Sequence, residues 1–336
     1  MRAIEYTETG GPEVLKLVDT QIPEPAPGQV RVKVSLSGVN PTDWKARAAT
    51  PVPEGIQVPH QDGAGIIDAV GQGVDAGRVG ERVWIWEAAF QRRWGTAAEF
   101  TVVPAAQAVP LGDASFELGA ALGIPFLTAH RCLTLGENVP ERLGPGTLQD
   151  RVVLVQGGAG AVGNAAIQLA RWADATVIAT VSSPAKAELA AAAGADHVID
   201  YRNEDVVAGL RKIAPRGADV VVEVALAQNA ATDADLLASH GTVASYGADP
   251  DETFALPVRA QMTLNSQWHF VLVYTMPARP KELAVADVSA AVAAGAVRVG
   301  EQAGLPLHVL PLASTAEAQL AVQNSTVGKV LVDVTA

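Results

Sequence analysis

The 336 residues are too many for one ordinary hydrophobic core, so the sequence predicts two domains. The formal net charge of −12 argues against a nucleic-acid binder, and no apolar run reaches the ~20 residues of a membrane-spanning helix. The single cysteine, Cys132, excludes an intramolecular disulfide and any metal site built from several thiolates. We therefore expect a globular protein without nucleic-acid or membrane partners. The lack of an apolar secretory region predicts a cytoplasmic location.

The first hundred residues have the composition of short β-strands. Five segments are rich in β-branched and aromatic residues and are bounded by Gly and Pro turns, namely 14–20, 29–38, 64–71, 80–86 and 97–103. Strands that follow one another without intervening helices predict a small β-barrel. From Ser115 the apolar spacing becomes helical, with Ser115 as the predicted N-cap.

After Asp150 apolar strands alternate with helical segments. The runs at 152–155 and 220–222 are continuously apolar, as in parallel strands covered on both faces. Helices are expected between them, including one at 203–213 and a short one near 232–238. The alternation predicts an α/β fold with a doubly wound parallel sheet. A helix at 281–295 and a terminal strand at 328–334 follow.

A glycine-rich turn follows the first of these strands. Gly158, Gly160 and Gly163 have the spacing G-x-G-x-x-G and precede a helix expected from about Ala161. Glycine lets the backbone approach a pyrophosphate closely, and the N–H groups of the first helical turn point at the anion. Because the turn lies between a buried strand and a helix, it predicts a dinucleotide site rather than a ligand-free loop.

The end of the second strand of this fold favours NADPH over NADH. An NAD site places an acidic residue there, about 20 residues after the turn, whereas 180–183 reads Thr-Val-Ser-Ser. The hydroxyls of Ser182 and Ser183, together with Lys186, suit a 2′-phosphate. Taken alone, Lys186 is equally consistent with a solvated helix lysine. Tyr201 follows the next strand and is placed to flank the adenosine.

Motifs along nearly the whole chain carry a family resemblance. They include SGVNPTDW, ALGIPFLTAHRCL, the GGAGAVG turn, TVSSPAK and the terminal GKVLVDV. Through them the chain resembles the zinc-independent medium-chain reductases, in particular the NADPH:quinone oxidoreductases of the zeta-crystallin type. The resemblance implies a GroES-like β-barrel catalytic domain over 1–122, completed by about 275–336, and a Rossmann NADPH-binding domain over 123–274. It also implies a homodimer, with a tetramer as the other possibility.

The resemblance further implies which residues contact NADPH. The turn binds the pyrophosphate, the second strand end binds the 2′-phosphate, and three later segments follow the nicotinamide half. The complete expected set is Gly158, Ala159, Gly160, Ala161, Val162, Gly163, Ser182, Ser183, Lys186, Tyr201, Asn229, Tyr246, Gly247, Ala248, Asp249, Phe270, Val271, Leu272 and Lys329.

The same comparison predicts that the protein works without zinc. Where zinc-dependent relatives carry a cysteine, this chain reads 38–41 as Gly-Val-Asn-Pro, and where they carry Gly-His-Glu it reads 60–62 as His-Gln-Asp. The ligand thiolate and imidazole are therefore both missing. His60 remains, and a lone histidine without partners is more often structural.

The expected catalytic residues are Asn40, Asp43 and Lys45. Asn40 matches the asparagine of the family's G-V-N-P turn and can donate a hydrogen bond to a developing oxyanion. Asp43 and Lys45 are candidate polar partners, although each also suits a surface loop. The relatives typically place a tyrosine where this chain has Lys45, so Trp44 either replaces that aromatic wall or only packs.

Three functions remain open from the sequence. The first is hydride transfer from NADPH to a quinone or related conjugated carbonyl, which needs no dedicated acid because a hydroquinone anion is a weak base. The second is reduction of the C=C bond of an enone or enoyl thioester, which needs a placed proton donor. The third is a non-catalytic, crystallin-like protein that binds NADPH. Because no placed donor is evident, the sequence favours the quinone.

Overall fold

The computed structural model describes residues 1–52, 55–249 and 251–336, which divide into two units. One unit comprises Met1–Ile124 and Leu307–Ala336, and the other comprises Pro125–Pro306. The chain crosses from the first unit to the second inside one long helix, where Gly123 has non-helical backbone angles and Pro125 follows. Proline cannot donate to the helical ladder, so a kink at this point is expected.

Strands and helices are numbered in chain order. The described strands are β1 (Arg2–Glu5), β2 (Lys16–Asp19), β3 (Gln29–Gly38), β4 (Asp62–Val70), β5 (Arg82–Ile85), β6 (Phe100–Pro104), β7 (Ala108–Pro110), β8 (Val152–Val155), β9 (Thr176–Val181), β10 (His197–Asp200), β11 (Ala218–Glu223), β12 (Leu237–Ser245), β13 (Gln267–Phe270), β14 (Leu307–Pro311) and β15 (Lys329–Asp333). The described α-helices are α1 (Pro41–Ala49), α2 (Phe116–Leu133), α3 (Ala161–Trp172), α4 (Pro184–Ala193), α5 (Val206–Ile213), α6 (Leu226–Leu236), α7 (Val258–Leu264), α8 (Ala278–Ala293) and α9 (Thr315–Gln323). None of these helices has the length and apolarity required to cross a membrane.

The first unit is built around one long strand. β3 pairs antiparallel with β4, β6 and β15, and the seven-stranded sheet runs in the order β14-β15-β3-β4-β5-β7 with β6 added on β3. Val30, Val32 and Val34 alternate along β3 and are at most 1% exposed, which is the period of a strand with one face in a core. The predicted β-rich first domain is confirmed. The strand pairs of the described residues do not close this sheet into a complete barrel.

The second unit contains a six-stranded parallel sheet in the order β10-β9-β8-β11-β12-β13. The central residues 153–155 of β8 are fully buried, because helices cover both faces of such a sheet. The strand order reverses at β8, so the glycine turn lies at the switch point where ligands of doubly wound folds bind. The predicted doubly wound sheet is confirmed.

Two sequence-based boundaries differ from the structure. The helix expected near 232–238 is α6, which begins six residues earlier, at Leu226, because the Glu223 carboxylate accepts hydrogen bonds from the start of that helix. The chain also returns to the first unit at Leu307 rather than at about 275. The intervening α8 belongs to the second unit, where its buried Asp287 binds His130 at 2.8 Å and the backbone N–H of Leu143 at 2.7 Å.

Candidate active site

The glycines of the turn serve two different purposes, since some are required by close packing and one leaves space beside the helix start. A Cβ on Gly163 would lie 2.4 Å from the Gly157 carbonyl oxygen, and one on Gly158 would lie 2.8 Å from the Ala179 Cβ, so both glycines are required by close packing. Gly160 differs, because its nearest neighbour would be 3.5 Å away. Gly160 is the N-cap of α3 and supplies no capping side chain. The backbone is therefore uncrowded at the start of α3, and the first-turn N–H groups of such a helix suit an anion.

The adenosine end of the predicted site is assembled at the carboxyl ends of β9 and β10. The Lys186 ammonium donates to Ser182 Oγ at 3.1 Å, and the Tyr201 N–H donates to the Val181 carbonyl at 3.1 Å. Tyr201 is 50% exposed. Ser183 serves as the N-cap of α4, accepting from the Lys186 N–H at 3.4 Å. Ser182, Lys186 and Tyr201 thus share one small region, while the hydroxyl of Ser183 is used by the helix.

The residues expected along the nicotinamide half follow three adjacent strands of the same sheet. Asn229 lies in α6 after β11, and its amide donates to both oxygens of Glu223 at 3.1 and 3.2 Å. Tyr246 and Gly247 follow β12, and the next residues, Ala248 and Asp249, are exposed. Phe270 ends β13 and is 69% exposed.

After β13, Val271 is buried and donates its N–H to the Ser245 carbonyl at 2.7 Å. Leu272, which comes next, is 54% exposed. Because the strands are parallel, all of these residues lie on the same edge of the sheet as the glycine turn.

In the first unit, Asn40 lies at the centre of a buried polar cluster. Its Nδ2 donates to Asp62 Oδ2 at 2.6 Å, and its Oδ1 accepts from the Lys329 ammonium at 2.8 Å. The Lys329 and Asp62 side chains are 3.6 Å apart, and none of the three residues is more than 3% exposed. Two charged groups therefore fix both ends of the Asn40 amide.

Asp43 belongs to the same cluster. Pro41 starts α1, and the Asp43 carboxylate accepts the Asn40 N–H at 2.7 Å, as in a capping box. Asp43 is 3% exposed, so the expectation of a surface loop at this residue is wrong: α1 turns it inward. Burial is the main cause that raises the pKa of the Asp43 carboxyl to about 8, and the nearby Asp62 carboxylate acts in the same direction. With one ammonium and two carboxyls, the cluster is neutral when Asp43 keeps its proton.

Lys45 lies near the middle of α1, beside Trp44. The Lys45 ammonium is 5.7 Å from the centre of the Trp44 ring, within the range of a cation–π contact. Both side chains are half-buried. Trp44 thus packs with its neighbour, and it also presents an aromatic surface near the start of α1.

The sequence did not single out Asp62 as part of this site, nor Lys329 as its buried cation. Lys329 was expected to contact the cofactor, yet it is 2% exposed and engaged by Asn40 and Asp62. A signal was available, because each of these charged residues begins a strand and is followed directly by small or apolar residues.

His60 is structural, as expected for a lone histidine. It is fully buried, with Nδ1 2.9 Å from Ser37 Oγ and Nε2 3.2 Å from the Gln319 amide. Burial, followed by the charge of Lys329, lowers the pKa of His60 to about 3. Among residues 1–52, 55–249 and 251–336, no three His, Cys, Asp or Glu side chains are grouped so as to hold a metal ion.

Comparisons with known proteins agree with this organisation. The family model described as "Alcohol dehydrogenase GroES-like domain" matches residues 26–113, and that described as "Zinc-binding dehydrogenase" matches residues 161–299. The quinone oxidoreductase of Rattus norvegicus is 36% identical over 252 residues, which cover 74% of this chain and 73% of the rat protein.

Two solved structures illustrate the structural similarity. An NAD-dependent alcohol dehydrogenase has a TM-score of 0.85 at 29% identity, over 99% of this chain and 100% of that one. The Escherichia coli quinone oxidoreductase complexed with NADPH has a TM-score of 0.80 at 26% identity, with the same coverage.

A GroES-like unit joined to a dinucleotide-binding parallel sheet defines an oxidoreductase of the medium-chain class. The chain belongs to the medium-chain dehydrogenase/reductase family, within its zeta-crystallin-like group of quinone oxidoreductases.

Proposed function

We propose that the protein transfers hydride from NADPH to a quinone or a related conjugated carbonyl without using zinc. The observation that supports NADPH as the cofactor is the Lys186–Ser182 contact at the end of β9, where an NAD site would place an acidic residue. The rat and Escherichia coli relatives are both named quinone oxidoreductases, which supports a quinone as the hydride acceptor. The similarity to an NAD-dependent alcohol dehydrogenase makes the choice between the two dinucleotides a point to test directly.

The residues of the second unit fit a dinucleotide without rearrangement. The open space at Gly160 leaves room for a pyrophosphate at the start of α3, and Lys186 with Ser182 provides donors for a 2′-phosphate. When bound, the dinucleotide supplies the reducing equivalents, and the protein supplies binding and orientation.

The buried cluster of the first unit supplies an oriented hydrogen-bond donor. Asn40 Nδ2 carries two hydrogens, and Asp62 accepts only one of them. We assign the other to the oxyanion that forms on the reduced quinone. Lys329 holds Asn40 Oδ1 at 2.8 Å, which polarises the amide and strengthens its donor end. The hydroquinone anion then takes its proton from solvent, so quinone reduction requires no acid from the protein.

The proposal of zinc independence is based on the side chains at the two positions where zinc-dependent relatives carry a cysteine and a histidine ligand. The side chains there are the amides of Asn40 and Gln61, which are weak zinc ligands beside the thiolate and imidazole of metal-dependent relatives. Asn40 is moreover already engaged by Asp62 and Lys329.

One observation favours a second candidate function, reduction of the C=C bond of an enone or enoyl thioester. That reaction needs a placed acid, and Asp43 is a buried carboxyl whose pKa is raised to about 8. Its Oδ1 has no hydrogen-bond partner among the described residues. Asp43 is therefore protonated at neutral pH and is a donor that the sequence alone did not reveal.

NADPH oxidation should separate these functions. With para-benzoquinone or phenanthrenequinone we expect turnover, measured as loss of NADPH absorbance, and Asp43→Asn should leave it nearly unchanged. If C=C reduction is the physiological reaction, enone turnover should exceed quinone turnover and Asp43→Asn should lower it by roughly a hundredfold. Tight NADPH binding without turnover of quinones, enones or enoyl thioesters would instead establish the non-catalytic role.

We further propose that the protein is a homodimer joined through β13. This strand ends the order of the parallel sheet, so one row of its backbone groups is not paired within the described sheet. Beside it lies an aromatic surface, in which Phe254 is 6.0 Å from Trp268 and 6.1 Å from Phe270 between ring centres. Because a twofold axis brings identical patches together, a second copy can extend the sheet and cover these rings.

Phe270→Asp should convert the dimer to a monomer, since it places a charge on the most exposed ring of this surface. Sedimentation or light scattering should give twice the chain mass for the wild type and once for the variant. Leu17→Asp, which charges a 47% exposed apolar side chain on β2 of the first unit, is the matched control and should stay dimeric. A monomeric wild type, or a dimer that survives Phe270→Asp, contradicts the assignment.

A further inference from the structure

A continuous chain of buried hydrogen bonds lies behind the glycine turn of the second unit. It begins at the turn, where the Gly157 N–H donates to Thr180 Oγ1 at 3.3 Å. The Thr180 hydroxyl donates in turn to Gln156 Oε1 at 2.5 Å. Thr180 is 1% exposed and Gln156 is 5% exposed, so water has little access to these contacts. The first residue of the turn is therefore tied to the end of β9.

The chain then reaches two buried carboxyl groups. Gln156 Nε2 donates to Asp233 Oδ1 at 2.9 Å. Asp233 lies one helical turn after Asn229 on α6, and the Asn229 amide donates to Glu223, so the Asp233 and Glu223 carboxyls are neighbours and the charge of Glu223 acts on Asp233. Both acids are fully buried. Asp233 Oδ2 receives no donor from any described residue. A buried oxygen without a donor, facing a second carboxyl, is satisfied when it carries a proton and donates it to that carboxyl.

The surroundings decide which acid carries the proton. Glu223 accepts hydrogen bonds from the Ala225 N–H and from the Asn229 amide, so its oxygens already receive donors. No such N–H reaches Asp233 Oδ2. The proton of the pair therefore lies on Asp233, which sits on α6, while Glu223 ends β11.

The other titratable group that responds to Glu223 is Tyr246, after β12, and Cys132, on α2, acts on Tyr246 in turn. Burial raises the pKa of both Tyr246 and Cys132, so each stays neutral. The charge of Glu223 is the only Coulombic influence on Asp233 from the described residues.

We propose that Asp233 and Glu223 share one proton and, through Gln156 and Thr180, position the glycine turn for its dinucleotide. These are positioning residues, because none of the four is assigned a contact with the cofactor. The inference rests on the proposed function in one respect, namely that the ligand of the turn is a dinucleotide. The proposal adds that the affinity of the turn for its dinucleotide depends on the protonation of the buried Asp233–Glu223 pair.

A pH dependence of cofactor binding follows. Burial raises the pKa of Asp233 to about 9, and the neighbouring Glu223 carboxylate raises it as well. Below that pH the chain of hydrogen bonds is complete. Above it, two adjacent carboxylates repel each other and the Asp233–Glu223 hydrogen bond is lost. Affinity for both NADPH and NADH should therefore be constant at neutral pH and should fall as the pH rises through about 9.

Asp233→Asn is the decisive variant, because an asparagine can accept from Gln156 and donate to Glu223 without titrating. Asp235→Asn, an exposed position on the same helix, is the matched control. Dissociation constants for NADPH and NADH should be measured by nucleotide fluorescence on both sides of pH 9. For the wild type and Asp235→Asn we expect affinity to drop roughly tenfold above that pH, and for Asp233→Asn we expect a flat profile.

Two further variants locate the effect. Asp233→Val should bind both cofactors roughly tenfold more weakly at neutral pH, and Thr180→Val should weaken binding by separating the turn from the pair. Wild-type affinity in Asp233→Val, or an alkaline loss that persists in Asp233→Asn, overturns the proposal. A loss confined to NADPH also overturns it, because that result points to the 2′-phosphate end.

Thermal unfolding separates this inference from the proposed function. Asp233 has a raised pKa in the folded state, so its contribution to stability is complete below the unfolded value and is lost as the pH rises through about 9. The wild type should therefore lose stability relative to Asp233→Asn as the pH increases. If the wild type binds neither dinucleotide, the proposed function fails, while this comparison still shows whether the pair shares a proton.

Discussion

Lys329→Met should lower the free energy of unfolding by about 3–5 kcal/mol, the usual cost of removing one partner of a buried ion pair. Lys329 is 2% exposed, and its ammonium is the cation shared by Asn40 and Asp62. Without it, the buried Asp62 carboxylate faces Asp43 with no positive charge between them. Urea unfolding at neutral pH measures the change.

The control for this prediction is the double variant Asp62→Asn with Lys329→Met. Removing both charges leaves no unpaired ion, so the double variant should be more stable than Lys329→Met alone. If the two single substitutions simply add, the pair is not coupled and the proposed cluster does not act as a unit. The cycle therefore measures the coupling itself, apart from the loss of lysine packing.

The same variants test the role given to Asn40. In Lys329→Met the Asn40 amide loses the donor that fixes its oxygen, so kcat for quinone reduction should fall while the KM for NADPH stays close to the wild-type value. If Lys329 instead contacts the cofactor, as the sequence predicted, the KM for NADPH should rise and kcat should change little. The two roles thus give opposite patterns in variants that remain folded.

Lys186→Ala should weaken NADPH binding by roughly ten- to a hundredfold and leave NADH binding almost unchanged. The Lys186 ammonium lies 3.1 Å from Ser182 Oγ, and in our proposal both contact the 2′-phosphate that only NADPH carries. A charge-assisted hydrogen bond to a phosphate is worth about 1.5–3 kcal/mol, which gives the expected range. Fluorescence titration of each reduced nucleotide gives both dissociation constants.

Lys212→Ala serves as the matched control, because Lys212 is an exposed lysine at the end of α5 in the same unit. It removes the same charge from the same unit and should leave both affinities near the wild-type values. Equal losses for NADPH and NADH in Lys186→Ala would refute the 2′-phosphate role. They would make the similarity to an NAD-dependent alcohol dehydrogenase the better guide to the cofactor.

Local sequence was sufficient for the dinucleotide turn. Gly158, Gly160 and Gly163 lie within six consecutive residues, between a buried strand and a helix whose periodicities are both visible in the sequence. Ser182 and Lys186 are one helical turn apart, so their contact also follows from local geometry. Features set by neighbours along the chain could be predicted because the backbone itself brings them together.

The buried acids could not be assigned in this way. Asn40 caps α1, whereas Asp62 and Lys329 come from β4 and β15, and only the pairing of β3 with both strands brings these three residues together. Asp43 follows a proline in a polar stretch that resembles a loop, and only the packing of α1 shows that it is buried. The burial of Asp43, which the sequence left undecided, is what favours C=C reduction as the second candidate function.

The sequence by itself determined the α/β fold, the dinucleotide turn and the local contact between Ser182 and Lys186, because each depends on spacing over a few residues. The tertiary structure decided the burial of Asp43 and Asp233, which raises the pKa of both carboxyls, and the engagement of Lys329. Protonation depends on burial and on charges from distant parts of the chain, and these arise only when the strands pair and exclude water. The dinucleotide turn could thus be predicted from a short segment, whereas the buried polar cluster around Asn40 could be described only from the folded molecule.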